Sequence, residues 1–180
     1  MIRLRPYKSC DAKNIVSWCN DEETFLMWGG ERFGNFPVSE DIINRKYFDN
    51  NGDCSEEDNF YPITALEDNR AVGHFIMRYT NGNSRIIRFG WVIVDSSKRG
   101  KGYGKKMLSL GLKLAFEILM AENVTIGVFE KNISAFNCYR AVGFREAKEN
   151  RYSFAEIKGT KTKIIELEIA KEDYFDIHNK

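Results

Sequence analysis

The spacing of apolar residues predicts a chain that alternates between strands and helices. A short strand is expected at residues 2–5, and helical spacing follows at residues 11–19 and 39–48. Ser39 suits the N-cap of the second helix, because Glu40 and Asp41 would stand in its first turn, where the helix dipole favours acids.

Three apolar runs in the middle of the chain read as strands, at residues 61–66, 71–80 and 84–94. The segments EDNR and NGN that separate them are turn signals. The three strands are therefore expected to form an antiparallel meander.

The second half of the chain predicts one parallel strand pair. Residues 105–120 are too long and too apolar on every side for a strand, so they indicate a largely buried helix before a strand at residues 123–129. A connection of helix length between two strands is typical of parallel pairing. With a short helix at residues 134–142 and closing strands near 144–157 and 162–170, the pattern predicts an α/β fold whose mixed, mostly antiparallel sheet is flanked by helices.

Composition agrees with one folded domain. The chain has 180 residues, of which 43% are hydrophobic and 29% charged, with only 3 prolines, as in ordinary globular proteins. No apolar run reaches the length of a membrane span, and the start MIRLRPYKS lacks the apolar core of a signal peptide. We expect a cytoplasmic protein with no membrane partner.

The cysteines and histidines suggest free thiols and no metal site. No C-x-x-C spacing occurs, and the two histidines, His74 and His178, lie near no cysteine in the sequence. The four cysteines are Cys10, Cys19, Cys54 and Cys138.

The charge is balanced overall but not locally. A net charge of +1 argues against a general nucleic-acid binder, which needs a basic surplus. Between Asn20 and Phe60, however, the sequence contains eleven acids and three bases, a net charge of −8 that leaves +9 for the rest of the chain. The acids are Asp21, Glu22, Glu23, Glu31, Glu40, Asp41, Asp49, Asp53, Glu56, Glu57 and Asp58.

The stretch VDSSKRGKGYGKKML, residues 94–108, joins the last strand of the meander to the long helix. Arg99, Gly102 and Gly104 stand in the spacing R-x-x-G-x-G. Such a loop exposes backbone N–H groups at a helix N-terminus, where the dipole and the free donors favour a phosphate. A Walker A loop and a dinucleotide fingerprint fit less well, since lysines stand where they need a hydroxyl residue and a glycine. The bases around the glycines are Lys98, Arg99, Lys101, Lys105 and Lys106.

A second motif lies about thirty residues downstream. The segment VFEKNISAFNCYRAVGF places Asn132, Ala135 and Tyr139 in the pattern N-x-x-A-x-x-x-Y-x-x-x-G-F. On a helix, Ala135 and Tyr139 would lie one turn apart on the same face. Together, the two motifs resemble the GNAT superfamily of N-acetyltransferases over residues 61–170. The segments LRPYKSCDAKNIVSWCNDEE and FGWVIVDSSKRGKGYG look most like its branch that acetylates ribosomal-protein N-termini.

This resemblance implies a GNAT domain over residues 1–180, with acceptor-side helices in residues 1–60, an acetyl-CoA-binding core in residues 61–170, and a parallel pair splayed at a bulge. It implies that the N–H of Ile93 points at the thioester carbonyl and stabilises the oxyanion, and that Val94 pairs with the pantetheine arm. Tyr139 would protonate the leaving thiolate, and Asn132 would contact the pantetheine. The coenzyme A pyrophosphate would lie on the backbone of Arg99, Gly100, Lys101, Gly102, Tyr103, Gly104 and Lys105.

Several of these residues also have a purely structural interpretation. Tyr139 could be an amphipathic core tyrosine, Asn132 could cap the short helix, and His74 suits a buried structural histidine better than a base. The glutamate that many GNAT enzymes use as general base is missing, because its usual positions are Phe89 and Gly127 here. Glu130, Asp95 or an acid of the N-terminal third could act instead, or the enzyme could lack a dedicated base.

The sequence therefore leaves two alternative functions. The first is an enzyme that moves an acetyl group from acetyl-CoA to a primary amine by direct attack in a ternary complex, as a monomer or homodimer. The second is a degenerate relative that binds coenzyme A as a sensor or interaction module. If the acidic third borders the acceptor cleft, the acceptor would be a cationic small molecule or a peptide N-terminus.

Overall fold

The computed structural model describes residues 1–50, 60–80, 82–147 and 152–178, except the side chains of Glu31 and His178. The predicted acids Asp53, Glu56, Glu57 and Asp58, as well as Cys54, lie outside these residues. The described residues form one eight-stranded sheet with helices on both faces. Its strands are β1 Ile2–Pro6, β2 Phe60–Glu67, β3 Arg70–Thr80, β4 Asn83–Val94, β5 Asn123–Phe129, β6 Arg145–Glu146, β7 Tyr152–Ile157 and β8 Thr160–Ala170.

Six α-helices complete the described chain. Among them, α4 continues into a π-helical turn, Leu114–Ile118, so the predicted long helix is confirmed. Ser39 caps α3 as predicted, since its Oγ accepts a hydrogen bond of 3.3 Å from the N–H of Ile42. The helices are α1 Ala12–Trp18, α2 Glu22–Trp28, α3 Glu40–Asn50, α4 Tyr103–Lys113, α5 Ile133–Val142 and α6 Lys171–His178.

The order of the strands confirms the predicted fold class. The path is β1-β2-β3-β4-β5-β8-β6, and β7 also pairs with β8. Strands β2, β3 and β4 form the antiparallel meander, whereas β4 and β5 are parallel. The remaining described pairings are antiparallel.

The parallel pair separates halfway along its length. Strands β4 and β5 pair only from Ile86 with Asn123 to Phe89 with Ile126. Beyond this point β5 stays on β8 as far as Phe129, while β4 stays on β3 as far as Val94. We call the space between residues 90–94 of β4 and 127–129 of β5 the gap.

A bulge in β4 accompanies this separation. The β3–β4 register shifts by one between the pairs Ile76–Gly90 and His74–Ile93, and Trp91 has a φ of 46°. A Cβ added to Gly90 would lie 3.4 Å from Ile76, which belongs to the apolar cluster under α1–α3 that Trp91 also joins. Two consecutive residues therefore face the same side of the sheet, as a bulge requires.

The two faces of the sheet have separate cores. One cluster joins α4, α5 and α6 to the sheet through residues such as Phe75, Phe89 and Leu108. The other joins α1, α2 and α3 to the opposite face through residues such as Phe25 and Ile43. We call the second face the acceptor face.

The sequence-based prediction was wrong at the closing strands and incomplete at two helices. Instead of one strand near residues 144–157, the described residues contain the separate strands β6 and β7, both paired to β8. Helices α2 and α6 were not predicted, although Asp21 caps α2 by accepting a 2.7 Å hydrogen bond from the N–H of Thr24. Cys10, Cys19 and Cys138 are free thiols, as expected. None of the helices in the described residues is long and apolar enough to cross a membrane.

Candidate functional site

The glycine loop between β4 and α4 has the shape that its sequence predicts. Asp95 starts it by accepting hydrogen bonds from the N–H of Ser97 at 2.9 Å and from its hydroxyl at 2.8 Å. Gly100 and Gly102 then adopt φ values of 73° and 79°, which residues with side chains rarely tolerate. A Cβ on either glycine would meet no atom within 4 Å. Both glycines therefore serve the turn and leave open space beside the backbone.

The N-terminus of α4 presents free donors to this space. The N–H of Lys106 donates to the carbonyl of Gly102 over 3.1 Å, which is the first bond of the helix. The N–H groups of Tyr103, Gly104 and Lys105 precede it and have no intrahelical acceptor. Lys105 and Lys106 are exposed beside them. This combination of free donors, helix dipole and positive charge is suited to a phosphate.

The third glycine of the motif has a packing function. A Cβ on Gly104 would lie 3.1 Å from Sγ of Cys138 and 3.7 Å from Cγ2 of Val94. Gly104 thus lets α4, α5 and the end of β4 meet closely, which brings the loop, the gap and the second motif to one place.

Two other bases of the loop hold its shape through side-chain contacts. Arg99 donates from Nη2 to the carbonyl of Trp18 at 2.9 Å and from Nε to that of Val94 at 3.3 Å. Lys98 forms an ion pair of 3.2 Å with Glu67. Arg99 therefore links the loop to the end of α1 on the acceptor face.

Tyr139 lies on α5 within the core cluster that also contains Phe144 and Met107. Only 7% of it is exposed, and burial raises its pKa well above the usual value. Its phenol is consequently protonated at neutral pH, as a general acid must be. Burial also raises the pKa of the neighbouring Cys138 thiol.

Asn132 caps α5. Its side chain accepts a hydrogen bond of 3.1 Å from the N–H of Ala135, so the structural interpretation of this residue is confirmed. The predicted contact with the pantetheine stays a prediction.

The ladder between β3 and β4 decides which backbone groups face the gap. The N–H of Asp95 donates to the carbonyl of Val72 over 3.0 Å, and hydrogen-bonded pairs alternate along an antiparallel ladder. By this alternation Ile93 directs its N–H towards β3, opposite His74. Val92 and Val94 point the other way, and the Val94 carbonyl indeed accepts from Arg99 on that side. The Ile93 role stays a prediction, but the amides of Val92 and Val94 are better placed to meet a thioester.

The proposed substitutes for the missing general base are occupied. Asp95 accepts the hydrogen bonds of the loop turn, and Glu130 forms an ion pair of 3.2 Å with Lys163. Neither of these two residues offers an unengaged carboxylate.

A carboxylate that the sequence analysis missed lies beside Gly127. Glu166 of β8 pairs with Gly127 in register and forms a double hydrogen bond with Arg88 of β4, at 2.7 and 3.1 Å. Ser153 donates to the same carboxylate at 2.8 Å. A Cβ on Gly127 would lie 2.6 Å from Nη2 of Arg88 and 3.5 Å from Oε2 of Glu166, so the glycine makes room for the pair. The alternation of Glu166 and Glu168 with apolar residues signalled a half-exposed strand, but only the register locates Glu166 at the gap.

Aromatic side chains surround the bulge on the acceptor face. Trp28 donates from Nε1 to the carbonyl of Trp91 at 2.8 Å, and the rings of Phe33 and Trp91 meet edge to face at 4.8 Å. Tyr47 stacks on Trp91 and its hydroxyl lies 2.7 Å from Nε2 of His74. Burial lowers the pKa of His74 to about 3, so the imidazole is neutral and structural rather than a base.

Some of the acids in the N-terminal third are engaged in hydrogen bonds or ion pairs within the protein. Asp21 caps α2, and Glu22 forms an ion pair of 2.6 Å with Lys158 in the turn between β7 and β8. This contact joins α2 to the β7–β8 hairpin above the acceptor face. It also neutralises part of the predicted negative field.

Comparisons with known proteins support a common fold. The spermidine N-acetyltransferase from Vibrio cholerae in complex with CoA and spermine superposes with a TM-score of 0.76 at 19% identity, over 97% of this chain and 98% of that one. A point-mutant form of the same enzyme gives a TM-score of 0.75 at 18% identity, over 98% of both chains. At these identities the likeness concerns the fold.

Sequence relatives and a family model extend the comparison. The spermine/spermidine N(1)-acetyltransferase of Bacillus subtilis strain 168 is 34% identical over 65 residues, 36% of this chain and 41% of that protein. The match with a probable spermine N(1)-acetyltransferase of Bacillus subtilis subsp. natto has the same extent, so the chain matches about two fifths of the length of these relatives. The model of the acetyltransferase (GNAT) domain matches residues 2–145. The glycine loop, the gap and the capped helix α5 are thus those of a member of the GNAT acetyltransferase family, to which this chain belongs.

Proposed function

We propose that the chain transfers an acetyl group from acetyl-CoA to a primary amine, by direct attack of the amine within a ternary complex. The observation that supports this best is the position of the gap. It opens between β4 and β5 next to the place where Gly104 brings the glycine loop against Val94 and Cys138. A long cofactor can therefore lie with its phosphates on the loop and its thioester in the gap.

The residues of the loop fit the pyrophosphate of coenzyme A. The backbone from Arg99 to Lys105 supplies the free N–H groups, and Gly100 and Gly102 leave room for close approach. The gap edge of β4, at Val94, offers backbone groups that can pair with the pantetheine arm as another strand would.

The chemistry then needs two groups of this chain. The neutral amine attacks the thioester carbon, and a gap-facing amide of Val92 or Val94 donates to the developing oxyanion. The N–C bond forms, the C–S bond breaks, and its electron pair goes to sulfur, which takes the proton of Tyr139. The amine loses its proton to water, and water restores the phenol of Tyr139.

A cationic acceptor, with polyamines foremost, fits the relatives and the site. Both Bacillus relatives are named for spermine, and the Vibrio cholerae structure contains spermine. Exposed acids such as Glu23 near the start of α2 would attract such an acceptor.

A screen tests the proposal directly. The protein is incubated with acetyl-CoA and single amines, among them spermidine, spermine, a basic peptide and a neutral monoamine, and the released thiol is measured. Thiol release that requires the amine, with acetylated product seen by mass spectrometry, supports the enzyme. Tight binding of coenzyme A without thiol release for any amine would instead support the sensor or interaction module.

A further inference from the structure

We propose that Glu166 binds a second cationic nitrogen of the acceptor, a few bonds away from the amine that is acetylated, and so selects diamines and polyamines over monoamines. The inference rests on the proposed acetyltransferase function. The sequence motifs assigned no residue to the recognition of a second nitrogen, and the proposal gives this role to a residue of β8.

The position of Glu166 supports this role. It lies on the acceptor face, because its partner Gly127 would direct a Cβ towards Arg88 on that face. It stands one register step beyond the last β4–β5 pair, at the beginning of the gap. The β7–β8 hairpin on its side reaches α2 through Lys158 and Glu22. Glu166 therefore lies on the same side of the sheet as the helix that this ion pair joins to the hairpin.

The contacts of Glu166 leave one place for a ligand. A carboxylate has about four lone-pair positions. Within the described residues, Oε1 accepts hydrogen bonds from Arg88 and Ser153, whereas Oε2 accepts from Arg88 alone. Oε2 is also the atom that faces Gly127, at 3.5 Å from its virtual Cβ. Arg88 and Ser153 orient the group, and 17% of the Glu166 side chain remains exposed, so an ammonium can reach it.

The distance along the strand fixes the spacing of the two nitrogens. Glu166 is level with Gly90, and the gap-facing amides begin two residues further, at Val92. Two residues of extended strand span about 7 Å, and the bulge at Trp91 shortens this path. Three or four methylene groups between two nitrogens bridge such a distance, as in the aminopropyl and aminobutyl segments of polyamines.

A matched pair of acceptors tests the role of Glu166. 1,4-Diaminobutane and 4-amino-1-butanol share a reactive amine and a chain length, but only the first has a second charge. We expect the parent to prefer the diamine by about tenfold in kcat/KM, in line with a hydrogen bond to a charged group. Glu166→Gln should abolish this preference mainly through KM of the diamine, and leave the amino alcohol and coenzyme A binding unchanged.

Two further variants separate binding from structural support. Glu168 lies on the same face of β8, two register positions further from the gap, opposite Thr125, so Glu168→Gln should keep the preference. The double variant Arg88→Gln with Glu166→Gln replaces the ion pair by two amides and should lose the preference like the single variant. Recovery of the preference in the double variant, or an equal loss for both acceptors in Glu166→Gln, would overturn the proposal.

The outcomes also separate this inference from the proposed function. A parent that acetylates none of the amines in the screen, nor either of these two compounds, contradicts the acetyltransferase function itself. A parent that acetylates both compounds equally well, or that acetylates other amines of the screen but no diamine or polyamine, leaves that function standing and refutes the role of Glu166.

Discussion

The substitution Gly102→Asp tests whether the glycine loop binds the phosphates of coenzyme A. Gly102 has a φ of 79° and open space where a Cβ would be, so the cost to folding is limited to the left-handed backbone, about 1–2 kcal/mol. The carboxylate, however, would enter the space that the free N–H groups face. Two like charges 4 Å apart repel by about 1 kcal/mol in water and about 4 kcal/mol near a protein surface. A repulsion in the middle of this range weakens binding about 100-fold, since 1.4 kcal/mol is tenfold.

Thermal unfolding with coenzyme A measures this change. At a concentration of 100 times Kd, the ligand stabilises the parent by about 2.7 kcal/mol, which for a chain of this size is a rise in Tm of about 5–10 °C. The same concentration is about equal to Kd for the variant, where RT ln 2 is about 0.4 kcal/mol and the rise is about 1 °C.

Two controls isolate the effect of the charge. Gly82→Asp places the same side chain at a φ of 64° in equally open space, but in the turn between β3 and β4, so it should lower the Tm without coenzyme A and keep the full rise with it. Gly102→Asn has the strain and nearly the size without the charge, and should lose less affinity than the aspartate. If Gly102→Asp keeps the parental rise in Tm, the loop is an ordinary connection and the reasoning from its donors is refuted.

Three further predictions address the acid, the buried histidine and the acceptor. Tyr139→Phe should lower kcat by about tenfold to ten-thousandfold, the range of positioned proton transfer, at unchanged coenzyme A affinity; unchanged kcat in pre-steady-state turnover would contradict the general-acid role. Because His74 has a folded pKa of about 3 against 6.5 when exposed, the unfolded chain binds more protons below pH 6.5. The free energy of unfolding should therefore fall by about 2 kcal/mol between pH 8 and pH 5; urea titrations that show equal stability at both values contradict a buried neutral imidazole. Finally, kcat/KM for a cationic acceptor should fall as salt rises, because exposed charges are screened over about 8–10 Å, and rise with pH until the amine is mostly unprotonated; a rate indifferent to salt would refute the electrostatic part.

The sequence determined the sheet far better than the site. Apolar spacing located the meander and the parallel pair, because buried strands and a buried helix differ in period. The closing strands were harder, since none of the residues of β7 is buried and its sequence pattern is therefore weak. Helix α2 was missed because its acids were interpreted only as a charged segment, although acids directly after Asp21 also suit the first turn of a helix.

The missing details of the site depend on register, which sequence spacing does not reveal. The direction in which a strand residue points its N–H is known only when the hydrogen bonds to both neighbouring strands are known. A single bulge then reverses the direction of every later residue, as it does for Ile93, Val92 and Val94. Glu166 was missed for the same reason. It lies on β8, two strands away from Arg88 on β4, and the two side chains meet across Gly127 of β5.

The acceptor face stabilises the bulge on which the gap depends. A left-handed conformation at a tryptophan costs about 1–2 kcal/mol, and glycine would avoid this cost. Trp91 instead has its carbonyl bonded to Trp28 and its ring packed against Phe33 and Tyr47. A hydrogen bond contributes about 1 kcal/mol and each aromatic pair about 0.5–1.5 kcal/mol beyond its buried area, which together exceed the strain. The helices that border the acceptor cleft therefore also hold β4 away from β5, so that a change in the acceptor-side aromatic residues should alter cofactor binding as well as acceptor choice.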